Sequence, residues 1–74
     1  MKIGKTLRYY RNEINYTQFE LAEYANMNEK YYGQLERDEC NPTVEKLEML
    51  CKAIGIRVSD FFLTHEAIEK SNQE

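Results

Sequence analysis

The chain is expected to fold as an all-α protein of five short helices. Three observations predict this: only one proline and three glycines in 74 residues, a helical apolar spacing at the very start, and a capping residue ahead of each later apolar stretch. So few breakers leave little room for hairpins or long loops. Ile3, Leu7, Tyr10 and Ile14 recur at spacings of four, three and four, which is one face of a helix over about residues 3–14. Thr17 and Glu20 have the spacing of a capping box, with Tyr16 and Leu21 as its hydrophobic staple. The second helix follows over about 18–25, with Leu21, Ala22 and Ala25 facing inward. Asn28 caps a short third helix over about 29–37, stapled by Met27 and Tyr32. Thr43 caps a fourth, stapled by Pro42 and Leu47. Its buried stripe is expected to be Val44, Leu47, Leu50, Cys51 and Ile54, with Gly55 as its stop. Ser59 is expected to cap a fifth helix, stapled by Val58 and Leu63, that buries part of the Phe61-Phe62-Leu63 triplet.

Size and composition narrow the function. The length suits a single domain over 1–65, with a polar stretch at 66–74 that either frays or extends the fifth helix. A domain this small buries only about 60% of its unfolded surface, so its stability is expected to be marginal. It leaves no room for a catalytic cleft beside a substrate domain. His65 is the sole histidine and has no legible nucleophile–base arrangement around it, so an enzyme is not expected. Cys40 and Cys51 stand eleven positions apart with only His65 to help them, short of the four ligands of a zinc site. Two reduced thiols, one of them in the core, are expected, with no metal or other cofactor. Nor does the sequence point to a small-molecule ligand. No apolar run approaches the ~20 residues that span a bilayer. Met1-Lys2-Ile3-Gly4-Lys5 lacks the features of a signal peptide. A cytoplasmic location away from membranes is therefore expected.

The formal net charge of −3 at first argues against a nucleic-acid partner. Its distribution argues the other way. Residues 1–37 carry six basic and five acidic side chains, while 38–74 carry four basic and eight acidic. Lys2, Lys5, Arg8 and Arg11 open the chain with no acid among them. Any basic face has to lie on the first half. There, only Asn26 and Met27 separate the second helix from the Asn28 cap, which is the tight corner of a helix-turn-helix. Such a corner needs a residue that tolerates positive φ, and asparagine does so better than most.

From Ile3 to Phe62 the sequence resembles the Xre-type, phage-repressor-like helix-turn-helix family. The resemblance is carried by Leu7 and Arg11, Thr17-Gln18 with Leu21-Ala22, and Leu35-Glu36-Arg37. It continues through Asn41-Pro42, Leu47, Ala53, Ile54-Gly55 and Asp60-Phe61-Phe62. It implies a compact five-helix, lambda-repressor-like fold whose second and third helices form the helix-turn-helix. It also implies sequence-specific binding of double-stranded DNA. Thr17 and Gln18 match residues that clamp the DNA backbone, and Gln18 opens a helix whose free N–H groups and dipole favour a phosphate. Arg11 and Glu36 match an ion pair that joins the first helix to the end of the third. Base edges are read from the outward positions Asn28, Glu29, Lys30, Tyr31, Gly33 and Gln34, while Tyr32 and Leu35 belong to the core. Gln34 suits adenine, and Lys30 suits guanine or a phosphate. Tyr31 suits a thymine methyl or a phosphate. Glu29 either accepts from a cytosine amine or only stabilises the helix dipole. Gly33, which costs roughly 1 kcal/mol relative to alanine in mid-helix, either admits close approach of DNA or is a tolerated imperfection.

The chain departs from the family pattern in two ways. Asn15, Asn26 and Asp38 stand where glycine is usual, yet all three are types that visit left-handed backbone. The loop Asp38-Glu39-Cys40 is acidic where relatives are often basic, which leaves Arg37 and Asn41 as its backbone contacts. The rival function is a protein-interaction module, antitoxin-like or adaptor, that keeps the fold without DNA binding. The acidic total and Glu29 favour it. The Thr17-Gln18 clamp and the polar outward face of the third helix oppose it, since interaction surfaces more often cluster apolar anchors. A solitary domain suggests a repressor or autoregulator: a phage-type repressor, an antitoxin-like partner or a restriction–modification controller. One reading helix covers too few base pairs for specificity, so a homodimer on a near-palindromic operator is expected, with reading helices about 34 Å apart. Phe61, Phe62, Thr64, His65 and Ile68 are the expected dimer interface.

Overall fold

Gly4–Glu13 form α1, Gln18–Tyr24 α2, Glu29–Glu36 α3, Val44–Ile54 α4 and Val58–Ser71 α5 in a computed structural model that describes residues 1–71. Three of the caps read from the sequence operate. The Thr17 hydroxyl accepts from Glu20 N–H while the Glu20 carboxylate accepts from Thr17 N–H, closing the capping box. Asn28 Oδ1 accepts from the Lys30 and Tyr31 N–H groups, and Thr43 Oγ1 from Lys46 N–H. Each satisfies backbone donors that a helix start leaves without partners.

The ends of α1 to α4 share one geometry. Residues Asn15, Asn26 and Asp38 take φ of 61, 56 and 60°, and Gly55 takes 91°. Each follows its helix in the left-handed region. The next N–H then reaches back to the carbonyl five residues before it: Tyr16 to Arg11, Met27 to Ala22, Glu39 to Gln34 and Ile56 to Cys51. This is the Schellman closure, with asparagine or aspartate replacing glycine at three of its four occurrences. The glycine departures therefore cost no corner its shape.

The start of α1 is capped from across the fold. Its N-cap residue, Ile3, offers no side-chain bond; Asp38 Oδ1 accepts the Gly4 N–H at 2.9 Å instead. The backbones approach so closely here that a Cβ on Gly4 would overlap the Glu36 carbonyl.

Two expectations need correction. Helix α5 begins at Val58, so Ser59 lies inside its first turn and does not cap it. The Asp60 carboxylate reaches back to Arg57 N–H and moves the start two residues earlier. Val44 is 77% exposed and leaves the buried stripe of α4, which begins at Leu47. The core itself joins all five helices through Leu7, Leu21, Tyr32, Leu35, Leu50, Cys51 and Phe61. Cys51 is buried, which pushes its thiol up to about 11, and both cysteines are free.

Helix α5 lies against α1. Phe61 is fully buried and stacks on Tyr10 with ring centroids 5.9 Å apart. The Tyr10 hydroxyl meets Thr64 Oγ1, and Thr6 Oγ1 meets His65 Nδ1 at 2.7 Å. Phe61 is therefore removed from the expected dimer interface: a core side chain has no surface to offer a partner. Thr64 and His65 are half-buried and already bonded within the chain. The helix runs through residue 65 without a break to Ser71; residues 72–74 of the polar stretch lie outside the described residues. Among the described residues no helix is long and apolar enough to cross a membrane.

Candidate nucleic-acid interface

The arrangement is organised around one buried carboxylate. Glu36, at the end of α3, is 2% exposed. Arg11 Nε donates to its Oε2 at 2.5 Å and Arg11 Nη2 to its Oε1 at 3.2 Å. The Tyr32 hydroxyl donates to Oε2 at 2.5 Å and Gln18 Nε2 to Oε1 at 3.0 Å. Arg11 also donates from Nη1 to the Tyr16 carbonyl ahead of α2. One carboxylate thus ties α1, α2 and α3 into a single body. No buried side-chain nitrogen or oxygen lacks a partner among the described residues, as a buried polar cluster requires.

Electrostatics follow this geometry. Burial alone would push the Glu36 carboxyl up, but the hydrogen bonds from Arg11, Tyr32 and Gln18, with the Arg11 charge, outweigh it and hold the carboxyl below its usual range. The bond to Glu36 raises the Arg11 guanidinium further. Burial, then the bond to Glu36, drives the Tyr32 phenol far above its ordinary value. The cluster is ionised as a pair, with the phenol neutral.

The basic residues that open the chain lie close to the end of α3. Lys2 Nζ donates to the Asp38 carbonyl at 2.8 Å and Arg8 Nη2 to the Glu36 carbonyl at 3.1 Å. Cations there complement the negative end of the helix. Part of the basic start is thus spent on α3 itself, while Arg8 stays half exposed.

Glu29, Lys30 and Gln34 carry no side-chain hydrogen bond or ion pair among the described residues, and the first two are exposed. Asn28 has its side-chain oxygen engaged in the cap of α3. Tyr31 is half-buried, and burial, then Cys40 nearby, raises its phenol. Gly33 departs from the outward role: it is buried, and a Cβ on it would stand 3.0 Å from Arg37 Nη1 and 3.6 Å from Gln18 Oε1. The Arg37 side chain folds back over the missing Cβ, so the glycine makes room for the chain's own residues.

The residues expected to contact phosphates are placed differently from one another. Gln18, Gly33 and Arg37 gather on one patch beside the open face of α3. Thr17 is committed to its cap, and Asn41 is exposed. Arg37 is already paired: its Nε donates to Glu39 Oε2 at 2.8 Å and its Nη2 to Oε1 at 3.3 Å. Lys46, which carries no expectation from the sequence, lines a hollow with Met27, Asn28, Tyr31 and Thr43 beside the start of α3. Its position one turn after the Thr43 cap was legible, but its place beside the start of α3 was not.

Residues 7–61 match the helix-turn-helix family model. The immunity repressor protein of Bacillus phage phi105 is 41% identical over 59 residues, covering 80% of this chain and 41% of that repressor. The chain therefore spans less than half of that relative's length. Control protein C.SmaI of Serratia marcescens is 38% identical over 56 residues, 76% of this chain and 67% of that protein. The crystal structure of a mutant of the restriction-modification controller protein C.Esp1396I superposes with a TM-score of 0.88 at 25% identity, covering 99% of this chain and 91% of the other. With helices, corners and relatives in agreement, the chain belongs to the Xre-type helix-turn-helix family of transcriptional regulators.

Proposed function

We propose that this chain binds double-stranded DNA sequence-specifically and acts in the cytoplasm as a small transcriptional repressor or autoregulator. The observation that carries this reading is the Glu36 cluster. It fixes α3 against α1 and α2 from behind while leaving Glu29, Lys30 and Gln34 without internal partners. A helix held rigidly by its base, with free polar side chains ahead, suits insertion into a major groove. In this reading Lys30 and Gln34 read base edges, with Asn28, Glu29 and Tyr31 beside them, and Gln18, Arg37 and Lys46 bear on phosphates. The phage relative is named an immunity repressor, the Serratia relative a control protein and the solved neighbour a restriction-modification controller, which supports a regulatory role.

A homodimer supplies the two reading helices that a near-palindromic operator needs. The face best suited to a second copy differs from the one expected from sequence. Val44 and Leu63 are 77% and 69% exposed, and Phe62 is partly exposed. Phe62 and Val44 share a groove with Met1, Pro42 and Val58. An apolar patch of this kind on a small domain favours association. Phe62 thus stays in the proposed interface, joined by Val44 and Leu63.

Selection from random-sequence duplex DNA at about 100 mM salt tests the whole reading. The expected product is an inverted repeat with half-sites about one helical turn apart. Absence of enrichment, even at low salt, would remove the DNA-binding reading.

A further inference from the structure

We propose that Glu39 sets the strength of DNA binding by occupying, in the free protein, the guanidinium that a phosphate takes in the complex; this rests on the DNA-binding reading above. The Arg37–Glu39 contact is two-pronged, with both the Nε and Nη2 groups donating to one carboxylate. That is the fork an arginine offers a phosphate. Glu39 is held in place by its backbone, whose N–H closes the Schellman turn on the Gln34 carbonyl at 2.8 Å. Arg37 in turn is folded over Gly33 near Gln18, the other side chain proposed above to bear on phosphates. The carboxylate therefore neutralises that exposed arginine. Both side chains remain about half exposed, so an incoming phosphate can exchange with the carboxylate without unfolding anything.

The exchange has a definite signature. On binding, Arg37 passes from Glu39 to a phosphate and the DNA releases a counterion. The carboxylate is left unpaired beside a polyanion and takes up a cation. The two ion movements largely cancel, so this arginine contributes little to the salt dependence. Removing the carboxylate restores the full contribution of one phosphate contact, a slope of about 0.9 in log K against log salt.

The test uses the full chain with Glu39→Gln, Arg37→Gln and the double substitution, each first shown to keep the wild-type Tm. Binding to a fluorescent random-sequence duplex is titrated from 50 to 200 mM salt, a range in which phosphate contacts dominate. Glu39→Gln is expected to tighten binding about twofold to fivefold at 100 mM, the scale of an exposed ion pair, and to steepen the slope by about 0.9. In the Arg37→Gln background the same change is expected to give little gain. An equal gain in both backgrounds overturns the proposal, because it shows only the removal of a negative charge near DNA. Unchanged binding by Glu39→Gln, with the wild type binding normally, overturns it too while leaving the DNA-binding reading intact. Failure of every variant and of the wild type to bind at 50 mM removes both.

Discussion

Replacing Arg11 with methionine tests the Glu36 cluster most directly. Arg11→Met keeps most of the apolar stem and removes three donors: two to Glu36 and one to the Tyr16 carbonyl. Glu36 stays ionised and buried, with hydrogen bonds from Tyr32 and Gln18 and the more distant Arg8 guanidinium, 3.6 Å away, left to compensate it. Removing one partner of a buried pair typically costs about 3–5 kcal/mol, and the lower end applies because Arg11 is itself 17% exposed. A loss of about 3 kcal/mol is a large share of the roughly 4–11 kcal/mol available to a chain of this length. It corresponds to a fall in Tm of about 12–24 °C. Urea unfolding followed by far-UV circular dichroism, at one fixed protein concentration, measures it from pH 7 down to pH 4.

The pH series carries the sharper test. Glu36 has a lowered pKa in the folded wild type. Its contribution is therefore complete above the unfolded pKa and is lost as pH falls through the folded one. Without Arg11 the desolvation of Glu36 is opposed by fewer bonds and its pKa rises. The variant then loses less than the wild type on acidification, so the gap between them should narrow toward pH 4. A gap below about 1 kcal/mol at pH 7, or one constant down to pH 4, would refute a buried, charge-bearing cluster.

The other predictions concern packing, association and recognition. Gly4→Ala should destabilise the fold by about 1–3 kcal/mol, the usual cost of overpacking, since its Cβ meets the Glu36 carbonyl and lies 2.7 Å from Asp38 Oδ1; thermal denaturation reads it. Phe61→Ala should cost about 3–5 kcal/mol as a core deletion, whereas Leu63→Glu should give a folded monomer by sedimentation at micromolar concentration, with a Tm that no longer depends on protein concentration. A wild-type monomer under those conditions would remove the proposed interface. Gln34→Ala should cost about 1–3 kcal/mol on the selected operator and relax preference at one base pair, while Gln18→Ala should weaken all duplexes alike. Equal losses on every sequence for both would show that Gln34 does not read bases.

What the sequence disclosed and what it concealed divide along chain distance. The Thr17, Asn28 and Thr43 caps and the Asn26 corner were legible because each is a bond between a residue and its own near neighbours. Ser59 was misread for a local reason too: Asp60 competed for the same helix start. The Phe61-Phe62-Leu63 triplet could not be resolved locally. Successive helical residues point about 100° apart, and which of the three turns inward depends on where Tyr10 and Thr6 of α1 engage α5. The bond from Gln18 to Glu36 joins residues eighteen apart and had no signature in either segment. Arg11 and Glu36 were matched only by family resemblance. Burial of Gly33 depended on Arg37 folding back over it, a rotamer that no spacing reveals.

The division of labour along α3 has an evolutionary consequence. Tyr32, Leu35 and Glu36 hold the helix to the body, and among the described residues no side-chain hydrogen bond or ion pair holds Glu29, Lys30 or Gln34. Those three positions can be exchanged at little cost to folding. If these positions read bases as proposed, a lineage can drift to a new operator by single substitutions there, without first accumulating stabilising changes elsewhere. For a domain with only a few kcal/mol in reserve, that separation keeps neutral paths open between one binding preference and the next.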